Sequence, residues 1–342
     1  MTTHDNARNA PHTLVLGAGE LGMAILRHLA PRQKAAGRAL AVLVTPGSID
    51  APTARQRQDH ATLRALDVAL VPFDLAQRSE EELVALLRPF DTVINCTGFV
   101  AGPGTQLRLT RAVLAAGVRR HIPWQFGVDY DIVGKGSGQP VFDEQFDVRG
   151  MLRGQDRTEW IIISTGMFTS FLFEKTAGIV DLDAGIVRGL GSWATQVTVT
   201  TPDDIGRCTA AILFELPRIA NQVVYLASDT VSYGQLADIV EQVTARAIER
   251  TLLTREALLA DLAAQPDDAK ARYRLAFARS EGLAWRKQNT YNEARGIPTS
   301  DVRTWLTQRL RESSSCRAAQ TISPPASRMN DSSIEWDYSF HT

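Results

Sequence analysis

Short apolar runs alternate with amphipathic stretches along the chain as far as Trp124. A run of four to six apolar residues is typical of a strand buried on both faces, whereas apolar positions three or four apart indicate a helix. Because buried strands that alternate with helices form parallel sheets, the pattern predicts an α/β fold with a Rossmann-type doubly wound parallel sheet. The predicted strands are 13–16, 39–44, 68–73, 92–96 and 120–124.

The pattern changes after a glycine-rich loop at 134–140 and a further predicted strand at 160–164. From residue 166 onward, short strands mix with several amphipathic helices, which predicts a smaller C-terminal α+β region. The residues from Ser313 are polar and serine-rich, and such a segment buries too little apolar surface to fold by itself. The predicted parts are a Rossmann domain at 11–165, the smaller region at 166–312 and a disordered tail at 313–342.

A glycine-rich turn follows the first predicted strand and opens a helix. Its residues Gly17, Gly19 and Gly22 have the spacing G-x-G-x-x-G, with Glu20 and Leu21 between the last two. The first glycine permits a tight turn, the second leaves room for a pyrophosphate, and the third lets the helix pack on the strand. Amides at the helix start then face the phosphates. We expect this turn to bind a nicotinamide dinucleotide; the alternative is a purely structural turn.

The end of the second strand carries Thr45, where proteins that bind NAD usually place an acidic residue. Without that carboxylate, a 2′-phosphate on the ribose is not repelled. Thr45 and Ser48 could donate hydrogen bonds to such a phosphate, and Arg55 and Arg57 could supply positive charge if the loop folds back. The alternative for each arginine is a solvated helix position. The sequence therefore favours NADP (NADPH) over NAD.

Charge and cysteine content narrow the function classes. With 37 Lys and Arg against 38 Asp and Glu, the net charge is −1, which does not suggest a basic face for nucleic acid. Cys96, Cys208 and Cys316 lack C-x-x-C spacing, so neither disulfides nor a metal site is expected. No apolar run nears the ~20 residues of a membrane span, and the first ten residues lack a signal-peptide pattern. We expect a cytoplasmic monomer or homodimer.

Four segments, taken in order, resemble the isoflavone reductase-like or NmrA-like branch of atypical short-chain dehydrogenases, particularly fungal CipA-type proteins. They are 15–22, 122–131 (IPWQFGVDYD), 160–173 (WIIISTGMFTSFLF) and 202–206 (PDDIG). The resemblance covers about residues 12–310 and agrees with the Rossmann-type fold inferred above.

The resemblance also implies positions around the cofactor. It implies that Phe126 and Gly127 lie beside the nicotinamide, with Gln125 nearby. It further implies that Cys96, Thr97 and Gly98, in the loop after the fourth strand, line the cofactor. It also implies that Asp74, which follows the third strand, lies near the adenine.

A departure from the family concerns catalysis. Plant reductases of the family carry a catalytic lysine in the helix after the Phe-Gly motif, and the alignment puts Gln145 at that place. Glutamine has no titratable proton near neutral pH, so it could act only as a hydrogen-bond donor. Tyr130 and Lys135 are the other catalytic candidates, although a lysine in such a loop is ordinarily a surface residue. Further carboxylates that could handle a proton are Asp129, Asp131, Asp143 and Glu144.

Phe168 and Phe171 lie in an apolar segment that could line a pocket for an aromatic substrate, and the alternative is packing in the core. Together these observations predict an NADPH-dependent reductase of a small aromatic, enone or quinone-methide-like substrate, in secondary metabolism. Two alternatives stay open: a non-catalytic NAD(P)-sensing regulator of the NmrA-like type, and a cofactor-bound isomerase or cyclase on the same fold.

Overall fold

A computed structural model describes the backbone of residues 12–321 and the side chains of residues 12–312. The strands are β1 His12–Leu16, β2 Ala39–Val44, β3 Ala69–Pro72, β4 Thr92–Asn95, β5 Arg120–Ile122, β6 Glu159–Ser164, β7 Met167–Phe168, β8 Val180–Asp181, β9 Ile186–Leu190, β10 Gln196–Thr200, β11 Gln222–Tyr225, β12 Asp229–Ser232 and β13 Glu249–Leu253. The α-helices are α1 Glu20–Ala35, α2 Pro46–Asp50, α3 Ala54–Ala65, α4 Glu80–Leu87, α5 Thr105–Ala116, α6 Tyr130–Val133, α7 Pro140–Arg153, α8 Pro202–Leu213, α9 Tyr233–Thr244, α10 Arg255–Ala264, α11 Ala269–Ala276, α12 Tyr291–Ala294 and α13 Val302–Thr321. Short 3-10 segments span Thr169–Phe173 and Lys287–Asn289.

Seven strands form one parallel sheet in the order β3-β2-β1-β4-β5-β6-β11, which confirms the predicted doubly wound fold. The strand order switches between β1 and β4, and ligands of such sheets bind at the carboxyl ends of the strands near this point. The fifth strand ends at Ile122 rather than at Trp124. Pro123 has no amide hydrogen for a sheet ladder, so the chain leaves the sheet there.

Apolar side chains of β1 point to opposite faces of the sheet, and helices cover both. Val15 packs in the cluster that includes residues of α1 and α8, whereas Leu14 and Leu16 pack with α4 and α5. The contact between α1 and α8 is unusually close at Gly206, where a Cβ atom would lie 2.5 Å from the carbonyl oxygen of Ala24. The glycine of the PDDIG segment therefore lets α8 approach the helix that carries the glycine-rich turn.

The C-terminal region has its own small sheets and its own core. One sheet has the order β12-β10-β7 and the other β13-β9-β8, and helices α9, α10, α11 and α13 contribute to their core. The predicted boundary after residue 165 needs a correction. Residues of α8 pack on α1, and β11 pairs with β6 of the large sheet, so 202–225 return to the Rossmann part. The apolar strand β11 covers the edge of β6, which would otherwise expose unpaired backbone groups.

The last described helix, α13, continues to Thr321 and so extends into the segment expected to be a disordered tail. The rest of that tail, 322–342, lies outside the described residues, as do 1–11. Among the helices of residues 12–321, none combines the length and the apolar character that a membrane crossing needs.

Candidate functional site

The glycine-rich turn leaves the end of β1 with the geometry of a pyrophosphate cradle. Gly17 has φ +94°, a backbone conformation that favours glycine. A Cβ atom on Gly22 would lie 2.0 Å from the carbonyl oxygen of Gly17, so only glycine lets α1 start this close to the strand. By contrast, a Cβ atom on Gly19 would meet nothing within 4 Å. The space in front of Gly19 is therefore open to a ligand.

The start of α1 also suits an anion. Gly19 is the residue before the helix, and as a glycine it has no side chain of its own to cap the first turn. Amides of a helix start carry partial positive charge, which the dipole of a 16-residue helix reinforces. These residues therefore fit the pyrophosphate of a dinucleotide, as the sequence predicts for residues 17–22.

A carboxylate of the C-terminal region lies near this turn. The pKa of Glu174 is raised to about 7, mainly by burial and to a smaller extent by the Glu20 carboxylate, while a hydrogen bond from the Thr176 hydroxyl opposes the shift. Glu174 follows the 3-10 segment at the start of the C-terminal region. The C-terminal region therefore approaches the first residue of α1.

The loop after β4 lies directly against the glycine-rich turn. A Cβ atom on Gly17 would be 3.3 Å from the Thr97 side chain, and one on Gly22 would be 3.6 Å from the Cβ of Cys96. The Thr97 hydroxyl donates to Asn95 Oδ1 at 2.9 Å, and Gly98 has φ +61°. Burial raises the pKa of the Cys96 thiol, which keeps it neutral. The structure thus brings Cys96, Thr97 and Gly98 to the cradle.

The ends of β2 and β3 carry the residues expected near the adenosine. Thr45 is exposed and precedes α2, but Ser48 is buried and its hydroxyl donates to the Thr45 carbonyl oxygen at 2.7 Å. The only hydroxyl hydrogen of Ser48 is thus engaged within the protein. Arg55 Nε lies 3.8 Å from Asp59 Oδ2 on α3, and its side chain is mostly exposed. Asp74 Oδ1 accepts from the amides of two following residues, Ala76 at 2.9 Å and Gln77 at 3.2 Å.

The loop after β5 places a tyrosine hydroxyl against the backbone of Gly127. A Cβ atom on Gly127 would lie 2.3 Å from Tyr130 Oη, so the lack of a side chain at Gly127 lets this hydroxyl approach the backbone. Tyr130 is 4% exposed, and burial raises the pKa of its hydroxyl. Phe126 is also buried, and its ring packs in the core beneath the sheet. The phenol of Tyr130, rather than the ring of Phe126, therefore borders the partly exposed Gly127.

The other two catalytic candidates have partners within the protein. Gln145 is fully buried, and its Oε1 accepts from Gln125 Nε2 at 2.6 Å. Direct contact between Gln145 and a ligand would require this side chain to become exposed. Lys135 lies on the surface, where its Nζ is 2.6 Å from Asp147 Oδ1. Of the three candidates, Tyr130 approaches the backbone of Gly127, Gln145 lies buried behind the same loop against Gln125, and Lys135 lies apart from it on the surface.

The two phenylalanines proposed for substrate binding belong to different clusters. Phe168 is partly buried and packs against the core of the large sheet. Phe171 packs with the C-terminal core, and its ring meets that of Tyr273 edge-on at a centroid distance of 5.5 Å. Both follow β6 within a few residues, where the two parts of the chain join.

A family model described as the NmrA-like family matches residues 12–293. The chain belongs to the NmrA-like family. A relative from Gibberella moniliformis, named an NmrA-like family domain-containing oxidoreductase, is 45% identical over 294 residues, which cover 86% of this chain and 96% of the relative. The predicted family and the predicted enzyme class, an oxidoreductase, are thereby confirmed.

Solved structures show the same fold for this NmrA-like protein. A crystal structure of isoflavone reductase has a TM-score of 0.69 with 21% identity and covers 88% of this chain and 100% of its own. A structure of AtPrR2 with NADP+ and (+)-pinoresinol has a TM-score of 0.68 with 20% identity and covers 88% of this chain and 99% of its own. At these identities the comparison establishes the fold alone.

The sequence pattern did not single out Arg149 as a buried residue of this NmrA-like protein. Its side chain is fully buried and hydrogen bonded to the loop after β5. A signal was present, because the buried positions of α7 fall at a spacing of three or four and Arg149 lies among them. Those positions are Phe142, Gln145, Val148, Arg149 and Leu152.

Two carboxylates considered for proton transfer have structural partners instead. Glu144 of α7 accepts from the amides of Gly104 and Gln106, both at 2.7 Å, and so caps the start of α5. Asp143 accepts from the amide of Gly136. A carboxylate at a helix start is stabilised by the unpaired amides and by the helix dipole. Both carboxylates are thus hydrogen bonded within the protein.

Proposed function

We propose that this NmrA-like protein is an NADPH-dependent reductase of small aromatic, enone or quinone-methide-like molecules. The observation that carries the proposal is the open space in front of Gly19 at the switch point of the sheet. The Gly127 and Tyr130 loop follows β5, which lies two strands from β1 along the same carboxyl edge. A dinucleotide that binds the turn with its pyrophosphate can extend its nicotinamide toward that loop.

NADPH is the cofactor that the end of β2 favours. Thr45 is neutral and exposed there, so a ribose 2′-phosphate meets no carboxylate at that position. The arginines of the first turn of α3 add positive charge nearby, although Arg57 Nη1 already donates to the carbonyl oxygen of Pro52 at 2.6 Å. The complex of AtPrR2 with NADP+, on the same fold, supports this choice.

The chain's own contribution to the reaction is orientation and a neutral hydrogen-bond donor. When bound, NADPH supplies a hydride from C4 of its nicotinamide ring to an electrophilic carbon, and the conjugated oxygen of the substrate takes up a proton. The Tyr130 hydroxyl is suited to donate a hydrogen bond to that oxygen as negative charge develops on it. Because burial raises its pKa, the phenol stays protonated, and therefore a donor, throughout the neutral range.

An aromatic substrate fits the residues around this loop. Trp124 is partly buried and meets Phe99 edge-on with ring centroids 5.4 Å apart, and Phe168 is partly exposed at the start of the C-terminal region. Aromatic rings at the rim of a cleft offer apolar contact area to a flat ligand. The pinoresinol bound to AtPrR2 supports an aromatic substrate class. Reduction of such compounds belongs to secondary metabolism, which is the role that we propose.

Fluorescence titration with NADPH and with NADH tests the cofactor. We expect the wild-type protein to bind NADPH more tightly than NADH, and Gly19→Val to lower NADPH affinity by about 100-fold or more because its side chain fills the cradle. Gly150→Val is the matched control, since a Cβ at Gly150 in α7 also meets nothing within 4 Å and lies outside the cradle. If the wild-type protein binds neither NADPH nor NADH, or if Gly19→Val binds NADPH as tightly as wild type does, the proposal is wrong.

A dinucleotide-binding regulator is the second candidate. It is favoured by the burial of Gln145 and by the surface ion pair of Lys135 with Asp147, which leave few groups for chemistry. Loss of NADPH absorbance with a panel of phenolic enones and quinones separates the two functions. Stoichiometric oxidation with any member supports a reductase, whereas tight binding without turnover across the panel supports the regulator.

A further inference from the structure

Arg149 of α7 is the largest side chain in the described structure that is less than 2% exposed. Moving a guanidinium out of water costs several kcal/mol unless hydrogen bonds and opposite charges replace the lost hydration. A fully buried arginine is therefore rare without paired partners, and the identity of those partners shows what the residue holds in place.

Most partners of Arg149 lie in the segment 125–131, which comprises the loop after β5 and the start of α6. Its Nε donates to Gln125 Oε1 at 3.0 Å, and its Nη1 donates to Asp129 Oδ1 at 3.2 Å and to Asp131 Oδ2 at 2.7 Å. Its Nη2 donates to the hydroxyl of Ser164, at the end of β6, at 3.1 Å. One planar group thus ties three points of the segment 125–131 to α7 and to the sheet.

Neighbouring contacts hold the same segment from other sides. The Tyr225 hydroxyl of β11 donates to Asp129 Oδ2 at 2.6 Å, and Arg153 donates to both oxygens of Asp131 at 2.7 Å. The carbonyl oxygen of Gly127 accepts from the amides that follow β6, Thr165 and Gly166, each at 2.9 Å. Within this arrangement Arg149 is the group that reaches both ends of the segment.

Arg149 also sets the orientation of two buried amides. A guanidinium can only donate, so Gln125 must present its oxygen to Arg149 and its Nε2 to Gln145. Gln145 then presents Oε1 at 2.6 Å and its backbone oxygen at 2.9 Å to that Nε2. Among the described residues, Nε2 of Gln145 has no partner.

The guanidinium of Arg149 also contacts the ring of Tyr130, whose hydroxyl is the candidate hydrogen-bond donor to the substrate. Its Cζ is 5.3 Å from the centroid of the Tyr130 ring, within the range of a cation–π contact. This contact fixes the ring whose hydroxyl borders Gly127. Arg149 therefore contacts the Tyr130 ring directly and the residues on either side of Gly127, at 125, 129 and 131.

We propose that Arg149 is a positioning residue that holds Gly127 and the Tyr130 hydroxyl where the nicotinamide end of the cofactor binds. This inference rests on the proposed function, because it presumes that NADPH binds at the glycine-rich turn. It predicts that replacing Arg149 weakens binding of the nicotinamide end of the cofactor and leaves binding of its adenosine end unchanged.

Stability alone does not require this ion network. Replacing a buried ion pair by apolar groups is often neutral, whereas removing one partner leaves a buried charge uncompensated. Arginine offers a planar fork of five donors, and a lysine at the same place offers a single point charge. A positioning role therefore predicts that lysine restores the buried charge but only part of the NADPH affinity.

The test compares two ligands on the same variants by calorimetry. NADPH spans both ends of the site, and adenosine 2′,5′-bisphosphate carries the adenosine end without a nicotinamide. In Arg149→Met we expect the affinity for NADPH, divided by the affinity for the bisphosphate, to fall by about 10-fold, while the affinity for the bisphosphate itself is unchanged. In Arg149→Lys we expect the same ratio to fall by an intermediate factor. Arg120→Met is the matched control, because Arg120 is another buried arginine whose donors reach the carbonyl oxygens of Leu213 and Ile219.

The outcomes separate the inference from the function it rests on. If wild type does not bind NADPH, the proposed function fails. If wild type binds but the affinity ratio in Arg149→Met matches that in Arg120→Met, Arg149 has only a structural role and the inference is wrong. Should Arg149→Met not fold, Asp131→Asn removes one charged partner of Arg149 at the partly exposed end of the network; an unchanged ratio there, and in Arg149→Lys, also overturns the inference.

Discussion

The contact between α1 and α8 makes Gly206 a sensitive position that lies outside the cofactor loops. In Gly206→Ala the new Cβ atom would lie 2.5 Å from the oxygen and 2.6 Å from the carbon of the Ala24 carbonyl, and 2.9 Å from the amide nitrogen of Ile25. All three atoms belong to the backbone of α1. No rotation of a side chain can relieve the clash, so α1 must move away from α8.

The size of the movement follows from these distances. Ordinary van der Waals contact of a Cβ atom begins at 3.4 Å, so the helices must separate by roughly 0.9 Å at this point. Overpacking of this kind costs about 1–3 kcal/mol. Because α1 begins at the glycine-rich turn, the shift also displaces the amides expected to bind the pyrophosphate, and we expect NADPH affinity to fall by roughly 10-fold.

Urea unfolding and NADPH titration measure the two effects on the same samples. Gly150→Ala is the matched control, because its Cβ would meet nothing within 4 Å in α7 and alanine favours a helix by about 0.5–1 kcal/mol over glycine. We expect the control to be as stable as wild type or more so. A Gly206→Ala protein with wild-type stability and NADPH affinity would refute the close approach of the two helices.

Two further predictions concern buried side chains in and below the site. Burial lowers the pKa of His121 to about 4, so the unfolded chain takes up a proton from about pH 6.5 downward while the folded protein does not. The free energy of unfolding should therefore fall by up to about 3 kcal/mol between pH 6.5 and pH 4. Urea unfolding at the two pH values should show a smaller loss in His121→Gln. Equal losses in both proteins would show that His121 does not titrate this way. Tyr130→Phe should lower kcat by about 10- to 100-fold with NADPH affinity within about twofold of wild type, measured by absorbance at saturating NADPH; an unchanged kcat would exclude the hydroxyl as a donor to the substrate.

Local patterns were sufficient for the elements of the Rossmann part. Each predicted strand from β1 to β6 is present, because a run of apolar residues next to a helical pattern has few other ways to bury both faces. The glycine-rich turn was also readable, since its three glycines serve a geometry set within six consecutive residues. The end of β5 was placed two residues too far, because the apolar run continues through Pro123 although the ladder cannot.

Contacts between distant residues were not readable in the same way. The sequence does not show that Ser48 points inward to the Thr45 carbonyl or that Glu144 caps α5, because either side chain has several acceptable local conformations. The return of β11 to the edge of β6 depends on a pairing across about 60 residues, which leaves no local signal. The sequence pattern also did not distinguish the two catalytic candidates Tyr130 and Gln145. Only the structure shows that the Tyr130 hydroxyl lies beside Gly127 and that Gln145 is fully buried.

For this NmrA-like protein, the order of apolar runs and the spacing of three glycines determined the fold class and the place of the cradle. Both depend on residues near each other in the chain, so their physical cause is present in the sequence itself. Tertiary structure alone decided the surroundings of the candidate site, where Arg149 of α7 meets Gln125 and Asp129 of the segment after β5 and Ser164 at the end of β6. A buried charge is stable only where such partners converge, and that convergence exists only once the chain has folded.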